Sequence, residues 1–374
     1  MRLIALLTDA FGGRGGIAQF NRDLLRALCG HPACEEVVAL PRIMPDAPEE
    51  EMPENLSFRS EAAGVKSAFV GATLRELFSR RACDGVLCGH INLLPLAWAL
   101  ARWKGVPLLL VVHGIEARTP SSKRLSNGLV SQVDGFVAAS RFTKERFLGW
   151  ADLDAKRGRV IPTGLADRTR FTPGPKSAAL LERYGLEGRT LLLTLGRLPV
   201  QEKRKGHDEV LEALPELVAE RPDLAYLVCG DGDDRPRLER KAQRLGLAGR
   251  VVFAGYVSED EKVDHYRLAD AFVMPGRTEG FGIVYLEALA CGVPVVASSA
   301  DASREAVRGG RLGAVVDPGD PADLKRGIRE ALGQQRGTVP EGLDYFSKER
   351  FTARWHRLID DCFCKPGNAT MGAV

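Results

Sequence analysis

Twelve short apolar runs, each the length of a buried strand and separated by stretches of helical periodicity, recur along the chain in two sets of six. The first set is LIALL near residue 5, VVAL near 38, GVLC near 86, LLLVV near 110, FVAAS near 138 and VIPT near 161. The second is LLLTLG near 193, AYLVCG near 227, VVFAGY near 253, AFVMP near 273, PVVAS near 296 and GAVVDP near 315. Strands without polar alternation are covered on both faces, and strands that alternate with helices pair in parallel through crossover connections. The pattern predicts an α/β chain of two Rossmann-like, doubly wound parallel-sheet domains, and 374 residues suit two cores of ordinary size. Between the sets, Leu165 to Ser177 is polar and carries Pro173 and Pro175, as a linker does. Residues 45–57, PDAPEEEMPENLS, read as an acidic, proline-rich surface loop. After Asp344 the segment YFSKERFTARWHRLIDDCF has amphipathic helical spacing, and the tail from Lys365 reads as disordered.

The densest chemistry lies in residues 277–298, RTEGFGIVYLEALACGVPVVAS, which read as loop, short apolar helix and strand. Gly280 and Gly282 let the backbone approach a ligand where the helix starts, and the free amides and helix dipole there favour an anion such as phosphate. Glu279 stands before the helix and Glu287 lies inside it. Eight residues at roughly 1.5 Å each separate them by about 12 Å. That is too far for a shared proton, and beyond the about 5 to 9.5 Å of a hydrolase pair flanking one glycosidic bond. It suits a ligand about two rings long with a phosphate near its middle. Glu287 is flanked by Leu286, Ala288, Leu289 and Ala290, so its carboxylate needs partners if it is buried.

Glu279 and Glu287, set in EGFGIVYLEALACGVPVV, resemble the paired-glutamate motif of the family 4 retaining glycosyltransferases, the glycosyl transferases group 1. The resemblance implies the GT-B fold, two Rossmann-like domains facing each other across a cleft. It assigns residues 1–170 to an N-terminal acceptor domain, 171–345 to a nucleotide-sugar donor domain, and 346–374 to a helix crossing back to the first domain with a flexible tail. It also implies that Glu279 contacts hydroxyls of the donor sugar, that the backbone of Phe281, Gly282 and Ile283 reaches sugar and phosphate, and that Glu287 holds the ribose.

In the first half, DAFGGRGGIAQFNRDLL follows the first strand, and its glycines precede a helix, again an anion site. Gly13 to Ala18 satisfies the dinucleotide fingerprint, but VVAL runs into Pro41 and Arg42 where a dinucleotide enzyme has an acidic residue. The resemblance gives Gly15 and Gly16 to the donor diphosphate and the acceptor. His113 ends the strand LLLVV, where open parallel sheets deliver side chains to ligands; the family carries a His there, near the donor sugar. His90 also follows a strand and reads equally as an acceptor-side or a structural residue. Ser140, before RFTKERF, reads as a helix cap. Pro162-Thr163-Gly164 departs from the Pro-Asn-Gly common in the family.

In the second half, Arg197 ends a strand and Lys205 stands just before a helix in LLLTLGRLPVQEKRKGHDEVLEAL. Two fixed cations would stabilise the charge that gathers on a departing nucleoside diphosphate, and they look like the family's Arg and Lys pair. Lys203 and Arg204 are the alternatives to Lys205. VCGDGDD resembles the glycine turn beneath the nucleotide, and Gly255, Tyr256 and Val257 the segment whose backbone meets the base.

Net charge near +3 makes no case for nucleic acid as a partner. The eight Cys, without a CxxC pair, read as free thiols. No apolar run approaches about 18 residues, so a cytoplasmic protein is expected. The basic positions Arg80, Arg81, Arg102 and Lys104, with residues 118–127, fit loose contact with anionic lipid on the inner face of the membrane, or ordinary solvated charge. The leading expectation is a retaining hexosyltransferase moving sugar from a UDP- or GDP-sugar to a saccharide or lipid-linked saccharide acceptor in exopolysaccharide, lipopolysaccharide or other glycan synthesis. No cofactor and no metal are expected. The alternatives are a sugar-nucleotide 2-epimerase of GT-B fold and a nucleotide-sugar-binding protein without turnover.

Overall fold

A computed structural model of the chain describes residues 1–48, 50–165, 169–200 and 205–364. The chain divides into two compact units, Met1–Ala166 with Phe346–Val374, and Asp167–Tyr345. Among the described residues, unit 1 holds a seven-stranded sheet of β1 (Arg2–Leu7), β2 (Glu36–Pro41), β3 (Leu56–Phe58), β4 (Gly85–Cys88), β5 (Leu108–Val112), β6 (Gly135–Ala138) and β7 (Gly158–Val160). Its strand order is β3-β2-β1-β4-β5-β6-β7, and every pairing is parallel. Unit 2 holds β8 (Thr190–Leu195), β9 (Leu224–Cys229), β10 (Val251–Gly255), β11 (Ala271–Val273), β12 (Val295–Ser298) and β13 (Ala314–Val316) in the order β10-β9-β8-β11-β12-β13, again all parallel. Each order reverses beside its first strand, which makes a crevice outside the carboxyl ends of β1 and β4 in one unit and of β8 and β11 in the other.

The apolar runs form central strands because both faces are covered. Along β1, Leu3, Ala5 and Leu7 enter one core cluster and Ile4 and Leu6 the other, the two-residue period of a strand between two helical layers. Helix Gly16–Cys29 supplies Phe20, Leu24, Leu25 and Leu28 to the first of these layers. The C-terminal helix Lys348–Ile359, capped by Ser347, covers the same layer: Phe20 meets Phe351 edge-on with centroids 5.6 Å apart and Trp355 at 6.3 Å.

Two expectations need correction or limits. The edge strand β3 begins inside the stretch read as an acidic loop; three half-buried residues pairing only with β2 leave too short a pattern to see. The tail from Lys365 lies outside the described residues. The eight cysteines form no disulfide among the described residues, and no helix among them is long and apolar enough to cross a membrane.

Candidate functional site

Past the carboxyl ends of β8 and β11, unit 2 brings two of the charged residues singled out above, Lys205 and Glu279, together. Gly206, at φ +91°, packs so closely on Pro275 that a Cβ would lie 2.6 Å from it. This contact joins the loop before helix His207–Glu220 to the loop after β11 and sets Lys205 against Glu279, with Nζ 3.7 Å from Oε2. Glu279 itself is fixed by its backbone. Its amide donates to Asp301 Oδ2 at 2.9 Å, and its carbonyl accepts from the Ala302 amide at 3.3 Å. Asp301 is fully buried and also takes the amide and hydroxyl of Ser303. Burial raises the Asp301 pKa, with these hydrogen bonds pulling the other way. Gly282, at φ +89°, starts helix Ile283–Ala290 with no side-chain cap, and the first amides of a helix have no partner within the helix itself.

Arg197 is exposed at the end of β8, beside β11 in the sheet. The segment that carries it is tied to the turn after β9: the Leu198 amide donates to Asp231 O and the Asp234 amide to Leu198 O, both at 2.9 Å. Gly230 and Gly232 permit this, since a Cβ on either would collide with the carbonyl of Gly196 or Leu198. The turn also pairs with the base-loop candidate, because the Gly230 amide donates to Gly255 O at 2.7 Å. Gly255 has φ +77°, Tyr256 is exposed and Val257 half-buried. Lys203 and Arg204 lie outside the described residues.

Glu287 is buried and its partners come from helix Glu259–Leu268. Lys262 Nζ donates to Oε1 at 2.8 Å and the Tyr266 hydroxyl to Oε2 at 2.7 Å. These partners, like Asp301, were missed in the sequence. Lys262 and Tyr266 stand four residues apart on one helix face, but nothing in sequence pairs that face with Glu287.

In unit 1 the glycine loop after β1 leads into helix Gly16–Cys29, with Gly15 at φ +84° as the residue before it. The loop is held from below by Arg22, whose Nη1 donates to Ala10 O at 3.2 Å and Gly13 O at 3.1 Å. His113, at the end of β5, lies edge-on to Phe20 at 4.8 Å, and its Nε2 is buried with no hydrogen-bonding partner among the described residues. Burial holds its pKa below the ordinary histidine value, while Glu116, the Gly89 carbonyl and Asp9 pull upward. His90 is lowered in the same way, chiefly by burial, and its Nδ1 accepts the Asn92 amide at 3.0 Å. Asp9 is raised by burial and interacts electrostatically with His113. Asp9 and Glu116 thus join His90 and His113 at the strand ends; an acidic residue just past the first strand was the available signal for Asp9. Ser140 caps its helix, accepting the Thr143 amide at 3.0 Å.

Two features bear on metals. Asp231-Gly232-Asp233, just past β9, is an Asp-x-Asp at a strand end. Asp231 Oδ1 accepts the Gly232 amide at 2.9 Å and Asp234 is bound to Arg237 at 2.7 Å. His31, Asp360 and Cys364 place ligand atoms within 4.8 Å of one another. His31 Nδ1, however, accepts the Ala33 amide, which leaves the ring proton on Nε2 facing Asp360 at 3.1 Å. That tautomer serves a hydrogen bond, not a metal.

The sequence matches Glycosyl transferases group 1 over residues 180–349 and Glycosyltransferase Family 4 over residues 14–167. A GDP-mannose-dependent alpha-(1-6)-phosphatidylinositol monomannoside mannosyltransferase of Mycolicibacterium smegmatis is 34% identical over 73% of this chain and 74% of its own length. A D-inositol 3-phosphate glycosyltransferase of Geodermatophilus obscurus is 36% identical over 62% of this chain and 52% of its own. The crystal structure of Anabaena HepE in complex with UDP and glucose superposes with a TM-score of 0.71 at 21% identity, covering 96% of this chain and 97% of that one. These matches, on two Rossmann-like parallel sheets, place the chain in the group 1 glycosyltransferase family with the GT-B fold: it is a glycosyltransferase.

Proposed function

We propose that the protein is a retaining, metal-independent hexosyltransferase that moves a sugar from a nucleoside diphosphate sugar to a saccharide or lipid-linked saccharide during glycan synthesis. The observation that carries this reading is Lys205 held 3.7 Å from Glu279 beside the uncapped start of helix Ile283–Ala290. An ammonium and free helix amides favour a diphosphate, and an adjacent carboxylate accepts from sugar hydroxyls. The named relatives act with GDP-mannose or on inositol phosphate, which supports GDP-mannose as the first donor to try, followed by UDP-sugars.

In this reading the C1–O bond to the diphosphate breaks while Arg197, Lys205 and the helix amides stabilise the charge on the leaving oxygens. That phosphate oxygen takes the proton of the acceptor hydroxyl, whose oxygen bonds to C1 on the same face, so configuration is retained. Glu279 holds sugar hydroxyls, Glu287 the ribose, Phe281, Gly282 and Ile283 the sugar and phosphate, and Gly255, Tyr256 and Val257 the base. For unit 1 the resemblance supports His113 near the donor sugar, and Gly15 and Gly16 toward diphosphate and acceptor. Incubation with candidate donors and acceptors in excess EDTA, with the product's anomeric configuration read by NMR, tests the mechanism. An inverted product, or activity that vanishes with EDTA and returns with a divalent ion, overturns it. Conversion of the donor to an epimer, or binding without turnover, would favour the two alternatives.

We also propose that the protein works in the cytoplasm and that unit 1 touches anionic lipid on the inner face of the membrane. Helix Lys66–Phe78 and helix Leu94–Lys104 expose Phe78 and Trp103, packed edge-on at 5.7 Å. Residues 64–106 carry six Lys or Arg and two acidic residues. Both acids turn to Arg2: buried Glu76 meets its guanidinium and Asp84 its amide, each at 2.6 Å. Aromatic rings in a cationic rim match an anionic interface. Sedimentation with phosphatidylserine vesicles should fall with salt and in the variant Phe78→Ala/Trp103→Ala; binding indifferent to both would refute the contact.

A further inference from the structure

Both oxygens of Glu287 are engaged inside unit 2, and the way they are engaged limits what else the carboxylate can hold. A carboxylate offers about four acceptor positions, two on each oxygen. Lys262 takes one on Oε1 and Tyr266 one on Oε2. Among the described residues that leaves one position on each oxygen, enough to accept two hydroxyls on neighbouring carbons. Glu287 is only 4% exposed, and a buried carboxylate needs a cation fixed against it.

The charged and titratable groups around it identify that cation. Helix Glu259–Leu268 presents Lys262, Tyr266 and Glu259; Glu259 Oε1 is 3.5 Å from Lys262 Nζ. The helix of Glu287 itself ends at Cys291, whose thiol is pushed up to about 12, chiefly by burial, and stays neutral. Burial likewise carries Tyr266 well above the ordinary tyrosine value. Burial alone would lower Lys262, but Glu287 and Glu259 outweigh it and raise it. Lys262 is therefore the fixed positive charge. It is held in place by Phe171, whose ring centroid is 5.8 Å from Nζ and which lies edge-on to Tyr266 at 6.1 Å.

We propose that Lys262 is a positioning residue for nucleotide recognition: it holds the Glu287 carboxylate oriented so that the two remaining acceptor positions receive the vicinal diol of a ribose. The proposal rests on the reading of Glu287 as the ribose contact, and a suitable experiment separates the two. UDP, GDP and their 2′,3′-dideoxy forms are titrated calorimetrically into the parent protein and into Lys262→Met and Lys262→Arg.

The parent should bind a ribonucleotide about tenfold or more tightly than its dideoxy form. Lys262→Met, which leaves the carboxylate without its ammonium partner, should bind the ribonucleotide about tenfold more weakly than the parent. Its affinity for the dideoxy form should match the parent's, and Lys262→Arg should behave as the parent. A mere packing defect would weaken both nucleotide forms alike. Lys262→Leu serves if the Met variant does not fold. A parent that does not distinguish ribose from dideoxyribose overturns the reading of Glu287, and this inference with it. A parent that does distinguish them, with a Met or Leu variant that keeps the preference, overturns the role of Lys262 alone.

Discussion

Replacing Gly282 by alanine should disable transfer while leaving the protein folded. The residue sits at φ +89°, and an ideal Cβ would lie 2.5 Å from two ring carbons of Tyr285 and 3.0 Å from Cγ of Glu279. An alanine in this left-handed region costs about 1–2 kcal/mol. The collision adds about 1–3 kcal/mol, the usual range for an overpacked site. Tyr285 cannot easily swing away, since it is fully buried and its hydroxyl donates to the Met274 carbonyl at 2.5 Å, so the turn and Glu279 move instead. A domain the size of unit 2 loses about 2–4 °C per kcal/mol, so the melting midpoint should fall by about 4–20 °C. A carboxylate displaced by about 1 Å from the reacting sugar costs about 10²-fold in rate. Release of nucleoside diphosphate from the donor, with a melting curve on the same sample, gives both values. Gly185→Ala is the control: its φ is +63° with nothing within 4 Å of an added Cβ, so it should lose stability without losing rate. If Gly282→Ala transfers sugar at a rate within about threefold of the parent, the geometric argument for this turn is wrong.

Arg197→Ala and Lys205→Ala should each slow transfer by about 10²-fold or more with little change in melting midpoint; near-normal rates in Lys205→Ala would move the role to Lys203 or Arg204. Asp301→Ala removes the acceptor of the Glu279 amide and should lower kcat more than it raises the donor KM; an effect confined to KM would contradict the assignment. Burial and the neighbouring Lys205 lower His207 from its ordinary 6.5 to about 4. The unfolded chain therefore takes up the proton first, and stability present above about pH 6.5 is lost as pH falls toward about 4, by up to about 3 kcal/mol. Denaturant titrations should show this acid slope in the parent and a shallower one in His207→Gln; equal slopes would refute it.

The strand runs were legible because a central parallel strand needs an unbroken apolar segment whatever its neighbours are. Strand order and the short edge strand were not, since three residues pairing on one side carry too little pattern. The Glu279 turn was legible for a local reason: glycine at φ +89° and an uncapped helix start leave marks within a few residues. Its supports were not. Asp301 lies twenty-two residues beyond Glu279 and Lys262 twenty-five before Glu287, so only the folded sheet shows that each is a partner. Glu287 illustrates the boundary between the two. An apolar setting predicted that it needed partners, but not which ones.

The last helix has a consequence for the order in which the protein can be made. Phe20, which lies against His113, is covered by Phe351 and Trp355, more than three hundred residues later in the chain. A ribosome therefore releases the whole of Asp167–Tyr345 before the wall behind His113 can be completed. Unit 2 is contiguous in sequence and can close during synthesis, whereas unit 1 waits for its final segment with an aromatic surface uncovered. A nascent chain stopped before Lys348 would carry the entire Glu279 turn and yet lack the support beneath His113.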